Sequence, residues 1–107
     1  MTNAILVITT TANADDACKI ARTLLEQKLA ACVQIIGPLE SMYWWQGKLE
    51  TAAEWQCVAK THRDLYAVVE QGILAAHPYE TPEILAIPIE AGNEKYLRWM
   101  AAEMKSP

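Results

Sequence analysis

The chain has 107 residues, of which 52% are apolar and 21% charged, and this balance predicts one globular domain over residues 1–107 rather than a disordered chain. The formal net charge of −4 and the scattered basic residues argue against nucleic acid as a partner, because phosphate binding needs a concentrated positive surface. No apolar stretch is long enough to span a membrane, and the three cysteines follow no disulfide or metal-binding spacing, so we expect a cytoplasmic protein.

The first predicted elements are a strand and an amphipathic helix. Residues 4–8 are apolar and rich in β-branched side chains, which predicts a strand. Asn13 is a good N-cap, and the carboxylates of Asp15 and Asp16 favour a helix N-terminus. Apolar residues then recur at helical spacing, which predicts a helix to about Leu29.

The centre of the chain predicts a long β-hairpin. Its arms run from Val33 to Trp45 and from Lys48 to Lys60, with Gln46-Gly47 as the turn and Gly37-Pro38 as a bulge or bend. In this register residues i and 93−i face each other, so Cys57 is expected opposite Ile36. Cys32 then lies too far from Cys57 for a disulfide, and we expect all three thiols to be free.

The last elements are predicted to be a helix, a strand and a helix. Thr61 and Asp64 resemble a capping box for a helix that ends near Ala76, because His77 precedes a proline. Residues 84–89 predict a strand, and Gly92-Asn93 starts the final helix. The order βαββαβ followed by a helix predicts an α+β, ferredoxin-like fold with a long central hairpin and an extra C-terminal helix.

The length of the hairpin suggests an oligomer. Each arm has about 13 residues and would extend roughly 40 Å, whereas a domain of about 100 residues has a radius of gyration near 13 Å. Met42, Trp44, Trp45 and Leu49 near the tip would then be left in water on both faces of the ribbon. A closed symmetric oligomer would bury them, and the alternative is a hairpin that folds back over its own core.

Two motifs resemble those of a known family. They are Ser41-x-Tyr43-Trp44-Trp45-x-Gly47-Lys48-x-Glu50 and His77-Pro78-Tyr79-Glu80-x-Pro82-Glu83. With their flanking segments QKLAACVQIIGPLESMYWWQGKLE and AAHPYETPEILAIPI, they make the chain similar to the CutA family of divalent-cation tolerance proteins over nearly its whole length. The resemblance implies a ferredoxin-like homotrimer, related in shape to the PII signalling proteins and associated with copper and other divalent cations.

The resemblance also implies where a metal would bind. In family members with an assigned copper site, the ligands are a Cys at the end of the first strand and a His-His pair before the proline. Those positions hold Thr9, Ala76 and His77 here, so one ligand of the set is present. His77 is therefore the candidate metal ligand, and its structural alternative is a histidine that forms hydrogen bonds at the helix end.

A second candidate site combines charged and aromatic residues. Trp45, Glu54, Lys60, Tyr79 and Glu83 mix carboxylates, an ammonium group and aromatic rings. A subunit cleft lined in this way could hold a small charged metabolite, whereas the alternative is an interface ion-pair network that fixes the register of the subunits.

These observations lead to two hypotheses of function. The first is a homotrimeric divalent-cation-binding protein that acts in cation tolerance, with copper as the candidate cation. The second is a PII-like signalling trimer that binds a small charged metabolite between subunits and acts on an unidentified protein partner. No nucleophile motif, zinc-protease motif or phosphate-binding glycine loop is found, so we do not expect an enzyme.

Overall fold

The computed structural model describes residues 2–107, in which the strands and helices follow the predicted order. They are β1 (Ala4–Thr11), α1 (Ala14–Glu26), β2 (Cys32–Trp45), β3 (Lys48–His62), α2 (Tyr66–Ala76), β4 (Leu85–Pro88) and α3 (Glu94–Glu103). The strands form one antiparallel sheet in the order β2-β3-β1-β4, which confirms the predicted α+β fold with its long hairpin and extra C-terminal helix. Across residues 2–107, none of the helices has the length and apolar character needed to cross a membrane.

Local sequence signals set the boundaries of α1. The Asn13 side chain accepts a hydrogen bond of 2.8 Å from the backbone N–H of Asp16, as predicted. The helix ends at Glu26 rather than near Leu29, because Lys28 adopts a φ of 58°. The N–H of Leu29 then bonds to the carbonyl of Leu24, which closes the C-terminus as in a Schellman motif and keeps Leu29 in the core.

The start of the second helix differs from the prediction. Strand β3 continues to His62, a single 3-10 turn covers Arg63–Leu65, and α2 begins at Tyr66. Thr61 does not cap the helix: its buried hydroxyl donates a hydrogen bond of 2.6 Å to the carbonyl of Leu29. A long-range bond in the core therefore replaces the local capping interaction that the sequence suggested.

The hairpin has the predicted turn and a shifted register. Gln46 and Gly47 have φ angles of 49° and 78°, both positive as a primed hairpin turn requires. From the turn, at Trp45 opposite Lys48, pairing follows the predicted register as far as Leu39 opposite Glu54. Beyond the Gly37-Pro38 bulge the register is shifted by one residue. Cys57 consequently lies opposite Ile35 and not Ile36. The three cysteines are free, as predicted.

The bulge has a packing reason. The side chain of Trp55 lies directly over the backbone of Gly37, where a Cβ atom would overlap the indole ring. The ladder bends at this point so that Trp55 can pack against the core while the rest of the hairpin continues outward. The longest dimension of the chain is 45 Å, as expected for an extended ribbon.

The two faces of the sheet have different environments. One face carries Val7 and packs against α1 and α2, whose Ile20, Leu24, Val69 and Ile73 are almost completely buried. On the opposite face, Leu6 pairs with Ile87 and Ile8 pairs with Leu85. We call this second face the open face; its β1–β4 edge is apolar, and Leu85 and Ile87 are 54% and 44% exposed there. Ile36, at the opposite edge on β2, is 53% exposed.

Candidate functional site

A cleft of about 590 Å³ lies between the hairpin and the segment that follows α2. Three carboxylates, three aromatic rings, three aliphatic hydroxyls and one thioether line it; its residues are Thr10, Ser41, Met42, Tyr43, Trp45, Glu54, Tyr79, Glu80, Thr81 and Glu83. This volume is in the range of cavities that hold small organic ligands. Among the described residues, no lysine, arginine or histidine lines the cleft.

The hairpin register aligns one wall of the cleft. Side chains at alternate positions of a strand point to the same face, so Ser41, Tyr43 and Trp45 share a face of β2. Leu39 continues that series and lies opposite Glu54, which places the Glu54 carboxylate on the same face. Alternate residues of β2 therefore supply most of this wall, and Met42 between them also lines the cleft.

The structure brings together four of the five residues predicted to form a ligand cleft. Trp45, Glu54, Tyr79 and Glu83 all line the cavity. Lys60 does not: its ammonium group lies 3.1 Å from the hydroxyl of Tyr96 on α3 and 5.3 Å from the centre of that ring. Lys60 is absent from this cavity because it lies beyond the bulge, at the end of β3 that pairs with Cys32, and its place in a cleft between subunits stays a prediction.

Sequence reasoning missed several residues of the cleft. Ser41 and Tyr43 lie four and two positions before Trp45 in the same strand, so the rule that alternate residues share a face would have identified them. Thr10 carried no such signal, because it joins the cleft only through the packing of β1 beside the hairpin.

A partly buried hydrogen bond connects the two sides of the cleft. The Tyr79 hydroxyl donates to a carboxylate oxygen of Glu54 at 3.1 Å. Glu54 is only 9% exposed. Burial, together with the hydrogen bond to Glu54 and its negative charge, raises the pKa of Tyr79 to about 12.

Tyr79→Phe should lower stability by about 1 kcal/mol near neutral pH, because Glu54 loses its hydrogen-bond donor. The pKa of Tyr79 is raised on folding, so its stabilising contribution is complete below the unfolded pKa of about 10 and is lost as the pH rises toward 12. Chemical denaturation of both proteins at neutral and alkaline pH should show the difference shrinking. A difference that stayed constant well above pH 10 would contradict the role assigned to this bond.

His77 is held by two internal hydrogen bonds. The ring is 8% exposed, and its Nε2 lies 2.8 Å from the carbonyl oxygen of Thr10. Its Nδ1 accepts a bond of 3.1 Å from the backbone N–H of Tyr79. A carbonyl can only accept, so Nε2 carries the proton and neither nitrogen has a free lone pair. These bonds favour the structural interpretation of His77, although the ring joins β1 to the segment after α2 and does not cap the helix.

The residues at the three copper positions do not fit a copper ion. Coordination by His77 would require one of its two hydrogen bonds to break. Thr9 is 1% exposed and its hydroxyl has no hydrogen-bond partner within the described residues, but a neutral hydroxyl is a poor substitute for a thiolate. Within residues 2–107, no three side chains among His, Cys, Asp and Glu lie close enough to hold a metal ion together.

Comparisons with known proteins agree on one family. The sequence profile of the CutA1 divalent ion tolerance protein family matches residues 5–103. The divalent-cation tolerance protein CutA of Archaeoglobus fulgidus is 46% identical over 86 residues, which cover 80% of this chain and 83% of the relative. A chloroplastic CutA 1 protein of Oryza sativa is 41% identical over 96 residues, which cover 90% of this chain. The chain spans only about half of that plant protein, 54% of its length.

Solved structures show the same similarity. The crystal structure of CutA1 from Oryza sativa matches with a TM-score of 0.94 at 38% identity, covering 97% of this chain and 95% of the other. The divalent cation tolerance protein from Thermus thermophilus matches with a TM-score of 0.92 at 36% identity, covering 95% of this chain and 99% of the other.

Proposed function

Because this chain belongs to the CutA1 divalent ion tolerance protein family, we propose that it acts in divalent-cation tolerance as a homotrimer that binds divalent cations through the oxygen atoms of its acidic cleft. The observation that carries the proposal is the composition of the cleft, which contains Glu54, Glu80 and Glu83 and no basic side chain among the described residues. Carboxylate and hydroxyl oxygens are the ligands preferred by hard divalent cations.

The proposed binding is weak and unselective. No three acidic side chains of residues 2–107 converge on one point, so a cation would use at most two carboxylates and complete its coordination with hydroxyls and water. Copper binds most oxygen and nitrogen donors more tightly than other divalent first-row ions, so it would bind as well, but without the selectivity of a Cys and His-His site. His77 contributes to this site by holding Tyr79 in place rather than as a ligand.

The open face supports the homotrimer. Leu85 and Ile87 expose an apolar surface at the β4 edge of a sheet face that α1 and α2 do not cover, and Ile36 is exposed at the β2 edge of the same face. The hairpin adds Trp44 and Leu49, which are 73% and 64% exposed. Surfaces of this kind mark contacts with another chain. A closed ring of copies would cover both regions, since each hairpin could lie against its neighbour.

A role in binding rather than catalysis and a cytoplasmic location complete the proposal. The family is named for cation tolerance and not for a reaction. The three cysteines are free, which fits a reducing compartment such as the cytoplasm.

Calorimetric titration with Mn²⁺ and Cu²⁺ tests the proposal. We expect wild-type protein to bind Mn²⁺ with a Kd on the order of 0.1–1 mM, the range of weak oxygen-ligand sites. Glu80→Gln combined with Glu83→Gln should weaken binding about tenfold or more, because two of the three carboxylates are removed. Glu90→Gln is the matched control, since Glu90 is exposed and lies outside the cleft. Equal Mn²⁺ affinity of the double variant and the control would contradict the proposal.

The size of the cleft favours a second candidate function. A volume of about 590 Å³ is far larger than a single ion requires, and Trp45, Tyr43 and Tyr79 provide aromatic walls. These features fit a signalling trimer that binds a small charged metabolite and passes the signal to a protein partner.

A further inference from the structure

We infer that the cleft binds an organic cation, a molecule with two ammonium groups joined by a short apolar chain. The inference rests on the second candidate function, a metabolite-binding cleft, and names the chemical class of that metabolite. It follows from three properties of the cleft: its charge, the burial of Glu54, and its aromatic walls.

The charge of the cleft selects a cation. Glu54, Glu80 and Glu83 line it, and no lysine, arginine or histidine of the described chain does. Among the side chains that one chain contributes, an anion would meet only negative charge, and a neutral molecule would leave the carboxylates without a counter-charge. The carboxylates also lie at two depths, because Glu54 is buried whereas Glu80 and Glu83 are exposed. One cationic group can therefore bind at the bottom of the cleft and a second at its rim.

Glu54 is a buried charge that lacks a cationic partner within residues 2–107. It is 9% exposed, and its carboxylate accepts a hydrogen bond from the neutral hydroxyl of Tyr79. The ion pairs among these residues are Arg22–Glu26 and Arg98–Glu94, both on helix surfaces, and neither involves Glu54. A buried carboxylate is stabilised strongly by a cation that brings its own hydrogen-bond donors, and an ammonium group has three.

The walls favour an organic cation over a metal ion. A fully hydrated metal ion would leave most of the 590 Å³ cleft to bulk water, and it gains little from an apolar surface. An ammonium group on an alkyl chain is attracted to the faces of Trp45 and Tyr43, and the chain itself packs against Met42. The same residues that make the cleft a poor metal cage therefore suit an alkyl diammonium ion.

The test is calorimetric titration of the assembled protein with 1,5-diaminopentane at neutral pH, with 1,5-pentanediol as its uncharged analogue. We expect the diamine to bind and the diol to show no binding over the same concentrations. Glu54→Gln and Trp45→Leu should each weaken diamine binding at least tenfold, since each removes one of the features argued above. Glu103→Gln, an exposed change on α3 outside the cleft, should leave the affinity unchanged.

The outcomes separate this inference from the proposed function. Binding of Mn²⁺ without binding of the diamine would overturn the inference and leave the cation-tolerance proposal standing. Binding of both diamine and diol with equal affinity would overturn it too, because charge would not be recognised. The mass of each variant is measured in parallel by light scattering. If Glu54→Gln dissociates the assembly, the carboxylate belongs to an intersubunit ion pair and the inference is wrong.

Discussion

Ile87→Glu should convert the assembled protein into monomers with a mass near 11.9 kDa, whereas the wild type should scatter light as a particle of three times that mass. Ile87 lies on the open face, 44% exposed and paired with Leu6 of β1. A carboxylate there stays solvated in the monomer, so the fold is retained. In the assembly it would be buried against an apolar surface once in every subunit, which costs several kcal/mol each time.

Leu74→Glu is the control for this change. Leu74 is 50% exposed on α2, which packs against the other face of the sheet, so the variant carries the same new charge away from the open face. Circular dichroism of both variants should match the wild type. A three-chain mass for Ile87→Glu at micromolar concentration, or a monomeric wild type, would show that the open face is not the contact between copies.

His77→Ala should lower the free energy of unfolding by about 2–4 kcal/mol. The substitution removes a buried ring and leaves the carbonyl of Thr10 and the N–H of Tyr79 without their partners. It also releases the segment that holds Tyr79 over Glu54, so the cleft should lose order at the same time. Denaturant unfolding at one fixed protein concentration measures the change, because the stability of an oligomer depends on concentration.

His62→Ala is the matched control for the His77 substitution. His62 lies at the end of β3, half-buried and with no capping hydrogen bond from its side chain, and we expect a change of about 0.5 kcal/mol or less. Copper titration of the folded proteins then separates the two interpretations of His77. We expect wild type and His77→Ala to differ little in copper affinity. A large loss of affinity in a variant that remains folded would identify His77 as a metal ligand.

The cleft and the apolar part of the open face differ in chemistry although the strand register puts Thr10 and Glu54 of the cleft on the same sheet face. The cleft is a concave acidic site, whereas Leu85 and Ile87 expose an apolar surface. Variants of Glu83 and Ile87 compare binding with assembly, since Glu83 lines the cleft and Ile87 does not. Loss of ligand binding on dissociation would show that a neighbouring subunit completes the cleft.

Local sequence patterns were enough to predict the order of the elements, the hairpin turn and four of the ten residues that line the cleft. Each of these depends on local chemistry: Asn13 caps the next turn of helix, Gln46-Gly47 takes the positive φ angles of a tight turn, and alternate residues of a strand share a face. The motif that contains Trp45 and the segment that contains Tyr79 were recognised instead by their resemblance to the CutA family.

The way in which these parts meet depends on the packing of the folded chain. The register shift arises because Trp55 packs over Gly37, and this contact is not encoded in the strand period. Lys60 turned to Tyr96 on the last helix instead of to the cleft, and both nitrogens of His77 were taken by backbone groups, one of them at Thr10 far away in the chain. Hydrogen-bond partners of this kind are set by which surfaces the folded core brings together, and the spacing of residues along the chain does not contain that information.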